Sequence, residues 1–323
     1  MRNFGKPARR PGLLLGAALG ALLGAGQQAD ALVITPTFAS NITGDPNAAA
    51  IEGVINSAIN TYQTTFTDPI NVTIQFNEMT TGLGQSNTTL YKLSYSTFST
   101  ALHNDAQSAD DTAAIIKNPI SATNPVTGSS TINVKTANIK ALNIAGSFPP
   151  FGGMDGFIGL NTHITDIGSP GTTGVFSLLS TVEHEIDEVL GLGSDLGQAD
   201  PFFNDPAPED LFRYDSAGNR SYTTNPGALA FFSISGLPSL AQFDNQNDGG
   251  DWGDWQSNPL PPGVAPKVQD AFATPFAHPT LSVELRALDV IGYDPAAAVP
   301  EPGTLALLGT SLIGFAALRR RRQ

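Results

Sequence analysis

Residues 175–193, VFSLLSTVEHEIDEVLGLG, place the tightest constraint on what this chain can fold into. At about 100° per residue, Val175, Phe176, Leu179, Val182, Ile186 and Val189 fall on one side of a helix, and that stripe has to be buried against a core. The remaining surface carries His184 among Glu183, Glu185, Asp187 and Glu188. Four carboxylates near a helix C-terminus, where the macrodipole disfavours negative charge, are costly unless a cation compensates them. Thr173 fits an N-cap and Gly191 a C-terminal stop, which bounds the helix at roughly 173–190.

His184 and Glu188 are one turn apart and share a face, with Glu185 between the faces. That is the layout of a zinc-peptidase helix, H-E-x-x-H, with glutamate in the place of the second histidine. A carboxylate oxygen binds zinc at nearly the distance of an imidazole nitrogen, so Glu188 can serve as a ligand, and Glu185 can reach a water on the metal. The additional anionic ligand lowers the metal's Lewis acidity and makes harder metals more competitive. The same five residues also fit the solvent face of an ordinary amphipathic helix.

Both ends of the chain read as processing segments. Arg2, Lys6, Arg9 and Arg10 precede an apolar run from Leu13 to Ala25 and a small-x-small site at Ala29–Ala31, which predicts a signal peptide over 1–31 and Sec export. The run is well under the roughly 20 residues that a lone membrane anchor needs. At the other end, VPEPGTLALLGTSLIGFAALRRRRQ sets Pro300-Glu301-Pro302 before an apolar stretch and the cluster Arg319–Arg322. This tail, 296–323, resembles the PEP-CTERM sorting signal. The resemblance implies transient inner-membrane anchoring through a short transmembrane segment, an exosortase as partner, and release to the cell envelope or exterior of a Gram-negative bacterium. The arginines fit the positive-inside rule.

Between these ends, one domain over 32–295 is expected. Without the terminal segments the chain keeps eight basic residues against 27 acidic ones, a net charge of −19. Such a surface repels nucleic acid and favours divalent cations. There is no cysteine, so thiolate metal sites, cysteine nucleophiles and disulfides are excluded.

Periodicity predicts a helix over 47–66, a strand over 70–79, a loop over 80–89 and a helix over 90–106. A strand leading into a helical turn over 131–144, a strand over 156–164, the His184 helix, a loop-rich half over 194–285 and a closing helix over 281–294 complete the reading. The order is α+β rather than repeating βαβ.

The blocks EHEIDEVLG, EDLFRYDSAGNRSY (209–222), FFSISG with LAQFDNQNDGGDWGDW (231–255), and ELRALDVIGYD together resemble a family of exported PEP-CTERM metalloproteases of metzincin-like type. The resemblance spans most of 32–295. It implies a zincin-like single catalytic domain, Zn2+ as cofactor, a protein or peptide substrate, and an H-E-I-x-E motif as a family trait. Two departures stand out: serine occupies position 194, where a third histidine would fall, and no methionine follows Met154. A third ligand therefore has to come from elsewhere. Asp210 is the first candidate, because Leu211 and Phe212 beside it give an apolar flank that could hold it towards a site. Asp195 follows, then His163 and His278. Arg213 could clamp a substrate carbonyl and Tyr214 could donate to an oxyanion, although each also fits a structural role. FDNQNDGGDWGDW (243–255) gathers Asp244, Asp248, Asp251 and Asp254 with glycines; it is compatible with Ca2+ or with a plain turn-rich loop, and departs from the EF-hand pattern at Gln246 and Trp255. The expected function is a secreted zinc metallohydrolase, an endopeptidase with Glu185 as general base. The alternatives are a non-catalytic envelope or matrix protein that keeps the fold, and a carbohydrate-binding module presenting Trp252 and Trp255.

Overall fold

The computed structural model describes residues 31–167, 174–196 and 205–296. It is mixed α+β. Strand β1 (Val33–Phe38), a short helix α1 (Ser40–Thr43) and the long α2 (Ala48–Thr65) lead into β2 (Asn71–Glu78), β3 (Gly84–Thr88) and β4 (Leu90–Ser94). Helices α3 (Tyr95–Asp105) and α4 (Ala109–Lys117) precede β5 (Thr131–Lys135), α5 (Thr136–Ala141) and β6 (Gly156–Leu160). The two-residue strands β7 (Thr165–Asp166) and β8 (Phe176–Ser177) introduce α6 (Leu178–Leu190). Short strands β9 (Arg213–Tyr214), β10 (Phe231–Phe232) and β11 (Ala241–Gln242) form the irregular half, closed by α7 (Val283–Val290).

The main sheet runs in the order β1-β2-β6-β3. β1, β2 and β6 are parallel and β3 is antiparallel to β6, so β3 forms an edge. In β2, Val72, Ile74 and Phe76 alternate onto the buried face, as the period of two requires. Helices α2 and α6 pack together, and α6 also lies along β3 and β6. Gly156 lets this happen: a Cβ there would overlap the side chain of Val189 on α6.

Three expectations need correction. Residues 84–88 are a strand rather than loop, because Gln85, Ser86, Asn87 and Thr88 gain their regularity from pairing with β6 and not from an apolar alternation of their own. The stretch 90–106 is likewise a strand followed by a helix. Its first five residues pair with β5, and the Ser94 side chain then caps α3 by accepting from the Thr97 amide at 3.2 Å. The strand expected over 156–164 ends at Leu160. Thr173 and the C-terminal tail, with its expected membrane span, lie outside the described residues. Among the described residues, no helix is long and apolar enough to cross a membrane.

Where α4 packs against α7 and the end of the domain, aspartates gather. Asp68 Oδ2 accepts from the Asp294 amide at 3.0 Å and Asp289 Oδ2 from Ser108 Oγ at 2.9 Å, while the second oxygen of each has no partner. Burial, with Asp294 beside it, pushes Asp68 up to about 7; burial and Asp294 push Asp105 to about 8; burial and Asp111 push Asp289 to about 7. Folded-state values above the unfolded value of about 3.9 mean that the folded chain binds more protons between these limits. Stability should therefore fall as pH rises from about 4 through 8 and level off beyond, by an amount on the order of a few kcal/mol. Urea midpoints at pH 5.5 and 8.5 check the sign. A higher midpoint at pH 8.5 contradicts it.

Candidate metal centre

Helix α6 starts at Leu178, later than the expected 173: Val175 and Phe176 fit the helical period, but Phe176 and Ser177 pair with Thr165 and Asp166 as β8, and both apolar residues are only half-buried ahead of the helix. Ser177 Oγ accepts from the Ser180 amide at 3.2 Å, which makes Ser177 the N-cap, and Gly191 ends the helix at φ 149°, a value that favours glycine. Leu178, Val182, Ile186, Val189 and Leu190 are fully buried. The opposite side is enclosed as well, since Glu183, Glu185 and Asp187 are also buried. The charge crowding that the sequence suggests around His184 is thereby divided in two. Tyr62 Oη contacts both Asp187 Oδ1 and the Glu183 carbonyl at 2.8 Å, on the α2 side. Burial, with Glu284 near it, raises the Asp187 carboxyl well above its usual range. Only Glu185 and Glu188 remain with the imidazole.

His184 and Glu188 meet a third group from the irregular half. His184 Nε2 lies 3.7 Å from Glu188 Oε1 and 3.7 Å from Asp254 Oδ2, and the three ligand atoms all fall within 4.8 Å of one another. These separations are too long for hydrogen bonds. Two tetrahedral zinc ligands at about 2.0–2.2 Å from the metal stand about 3.4 Å apart, so the cluster is close to the span of a shared ion.

Each member is also held from behind. His184 Nδ1 is 3.0 Å from the Val268 carbonyl, which fixes the tautomer with Nδ1–H and leaves Nε2 as the ligand atom. Ser86 Oγ on the edge strand β3 donates to Glu188 Oε2 at 2.5 Å. Gln269 Nε2 donates to Asp254 Oδ1 at 2.8 Å and stands 3.3 Å from His184 Nε2. Outer-shell partners of this kind orient ligands for a metal. Asp254 itself is set by backbone pairing: its carbonyl accepts from the Asp244 amide at 2.7 Å, and Phe243 bridges to Trp255.

The electrostatics describe a site short of positive charge. Burial opposes ionisation of His184, but Asp254, Glu188 and Glu185 outweigh it and raise the imidazole well above its usual value. Burial likewise works against the Glu188 carboxylate, yet the His184 contact, Lys135 and Ser86 bring it down to about 2. Asp254 is raised well above its usual range by burial and by Asp251 and Glu188. Glu185 is raised by burial and by Glu188. Its Oε2 is buried without a hydrogen-bond partner. Its Oε1 lies against Gly84 of β3, where a Cβ would overlap it and come within 2.9 Å of Thr181 Cγ2. The donor set, one imidazole nitrogen and two carboxylates with a spare carboxylate beside them, fits a divalent metal such as zinc.

Asp210 does not join this cluster. Its carboxylate accepts from Ser194 Oγ (2.5 Å), the Asp195 amide (3.1 Å) and the Ala207 amide (2.9 Å), and so ties together the turn in which it is buried. The apolar flank that Leu211 and Phe212 provide is real, but it packs Asp210 into the core. Asp195 Oδ2 takes a hydrogen bond from Asn133 Nδ2 at 2.7 Å. His163 is exposed, and His278 faces Asp166 at 3.7 Å. Arg213 donates to the Trp252 carbonyl at 2.7 Å and to Asn245 Oδ1 at 3.0 Å, so it braces the loop that presents Asp254. Tyr214 is buried in β9 with Arg220 over its ring at 5.3 Å. Trp255 is in the core, donating to Glu284 Oε1 at 3.0 Å, which removes it from any carbohydrate-stacking surface.

A cavity of about 150 Å³ opens beside Glu188, lined by Ser86 and Thr88 of β3 and by Asn133, Lys135 and Asp251. No curated protein and no solved structure matches the chain. Residues 298–322 match the PEP-CTERM protein-sorting motif. The chain is thus an exported protein of the Gram-negative cell envelope or surface, and exosortase processing acts on it.

Proposed function

We propose that the exported domain is a zincin-like metallohydrolase, a zinc-dependent endopeptidase whose ligands are His184, Glu188 and Asp254 and whose general base is Glu185. One observation carries this reading: Glu185 Oε2 is buried, unpartnered and one helical position from His184, next to three groups spaced for a single ion. When bound, zinc supplies a Lewis acid that polarises a carbonyl and acidifies water. Glu185 takes the proton of the attacking water on its free oxygen and passes it to the leaving amine. The shape of the domain supports a peptide substrate. Among the described residues, edge strand β3 has no partner strand on its outer side and runs beside α6, so an extended peptide can add to it through backbone hydrogen bonds. The cavity next to Glu188 lies along the same strand.

Gln269 favours a second reading. It spans Asp254 and His184 and helps close the cluster. Closed sites are the mark of structural zinc, and a closed site would suit a non-catalytic envelope protein. Hydrolysis of denatured casein separates the two. The exported protein is expected to cleave it, to lose the activity on chelation and to regain it with one equivalent of zinc. Zinc uptake without cleavage supports the second reading.

A further inference from the structure

The loop that delivers Asp254 carries a second group of acidic residues that the metallohydrolase reading does not use. Asp244 opens it and is 1 % exposed, yet neither of its carboxylate oxygens makes a hydrogen bond of good geometry, although the Gln246 amide lies near it. The carboxylate points into the loop: a Cβ on Gly250 would overlap Asp244 Oδ2. Asp248, on the same turn, lies against it. Its Oδ1 accepts from the Gly250 amide at 3.1 Å, and Gly249 turns the chain at φ 100°. Burial and the neighbouring Asp248 push Asp244 up to about 6, with only the Gln246 amide and the more distant Arg213 drawing it down.

The other polar side chains nearby are committed. Asn245 Oδ1 takes the Arg213 guanidinium, and Asp251 Oδ1 takes the Gly253 amide at 3.2 Å. Arg213 gives its two terminal nitrogens to Asn245 and the Trp252 carbonyl and makes no ion pair with Asp244, while its buried Nε has no hydrogen-bond partner. Gln246 donates its amide nitrogen to Gln256 Oε1 at 2.9 Å and keeps its own carbonyl oxygen as an acceptor. A buried carboxylate without a well-formed protein hydrogen bond, Asp244, thus faces the exposed carboxylate of Asp248 across a glycine turn.

We propose that loop 244–250 is a site for a hard divalent cation, Ca2+ by its all-oxygen donor set, with Asp244 and Asp248 as its carboxylate ligands. Backbone carbonyls, water and the Gln246 side chain can complete a shell of the six to eight oxygens that calcium takes, in the irregular geometry a loop offers. Magnesium demands a near-ideal octahedron and suits such a loop poorly. The ion would fix the segment between Asp244 and Asp254, whose ends are already joined by the 2.7 Å amide-to-carbonyl bond, and so hold Asp254 in place beside His184. None of its ligands is shared with the zinc cluster, so calcium binds the loop with or without zinc present.

Calorimetric titration of the full-length protein with CaCl2, with tryptophan fluorescence followed in parallel, tests this. The chain's two tryptophans, Trp252 and Trp255, follow the loop directly. One saturable site is expected, with Kd on the order of 10⁻⁴–10⁻³ M, the range of extracellular calcium modules. Asp248 is exposed, so Asp248→Asn should fold normally, and it should weaken binding at least about tenfold through the lost ligand charge. Asp244→Asn should do the same if it folds, and His184→Ala should leave calcium binding unchanged. Absence of saturable binding, full retention of it in Asp248→Asn, or its loss in His184→Ala would overturn the assignment.

Discussion

Glu185→Gln is expected to abolish casein hydrolysis, by about 10²–10⁴-fold, and to leave zinc bound at one equivalent. The amide keeps the size and the packing against Gly84 and Thr181, where Glu185 Oε1 sits too close for any side chain on residue 84. It removes only the ability to take a proton at Oε2, the oxygen without a partner. Because Glu185 is buried and destabilised by Glu188, the variant should be at least as stable as the parent, which makes loss of activity without loss of fold the expected pattern. Activity at parental level in Glu185→Gln would remove the general-base role. Zinc lost together with activity would make Glu185 a ligand instead.

The second large effect separates two aspartates. Asp254→Asn should lower zinc affinity by more than about 100-fold, since changes to outer-shell partners alone cost 10–100-fold. Asparagine keeps the acceptor that Gln269 uses and the backbone pairing of the loop, so the loss would come from charge and donor strength at Oδ2. Asp210→Asn should behave in the opposite way. It retains zinc binding but loses stability, because the buried carboxylate satisfies Ser194 Oγ and two backbone amides at once. A charged acceptor of this kind contributes roughly 1.5–3 kcal/mol per hydrogen bond, of which an amide keeps part, and burial, which raises the Asp210 carboxyl above its usual range, offsets some of the loss. Competition with a chelating dye and urea unfolding, applied to both variants, read the two quantities independently.

The contrast between these aspartates shows what the sequence can and cannot disclose. The body of the His184 helix is legible because its stripe from Leu179 on, its stop at Gly191 and the one-turn spacing of His184 and Glu188 are local properties of consecutive residues; its start is not, since Phe176 and Ser177 are drawn into β8 by pairing with Thr165 and Asp166. The parallel strands around Val72–Phe76 and Ile158–Leu160 are legible for the same reason. Asp254 is not. It reaches His184 only because the chain from Phe243 to Trp255 is pinned by backbone pairing and braced by Arg213, in a half without periodicity. Its sole trace is membership of the acidic run DNQNDGGDWGD. Edge strand β3 is hidden by its polar residues, although it supplies Ser86 to Glu188 and the gap at Gly84 for Glu185. The division of the four helix carboxylates also escapes periodicity, which gives the direction of Glu183 and Asp187 but not the Tyr62 hydroxyl waiting on α2.

The most direct test is a crystal of the zinc-loaded protein measured at the zinc absorption edge. An anomalous peak enclosed by His184 Nε2, Glu188 and Asp254, with Glu185 beside it and not bonded to it, is the predicted result. A folded protein with no peak at that place, or with its zinc at Asp210, would contradict the assignment of this cluster as the metal centre.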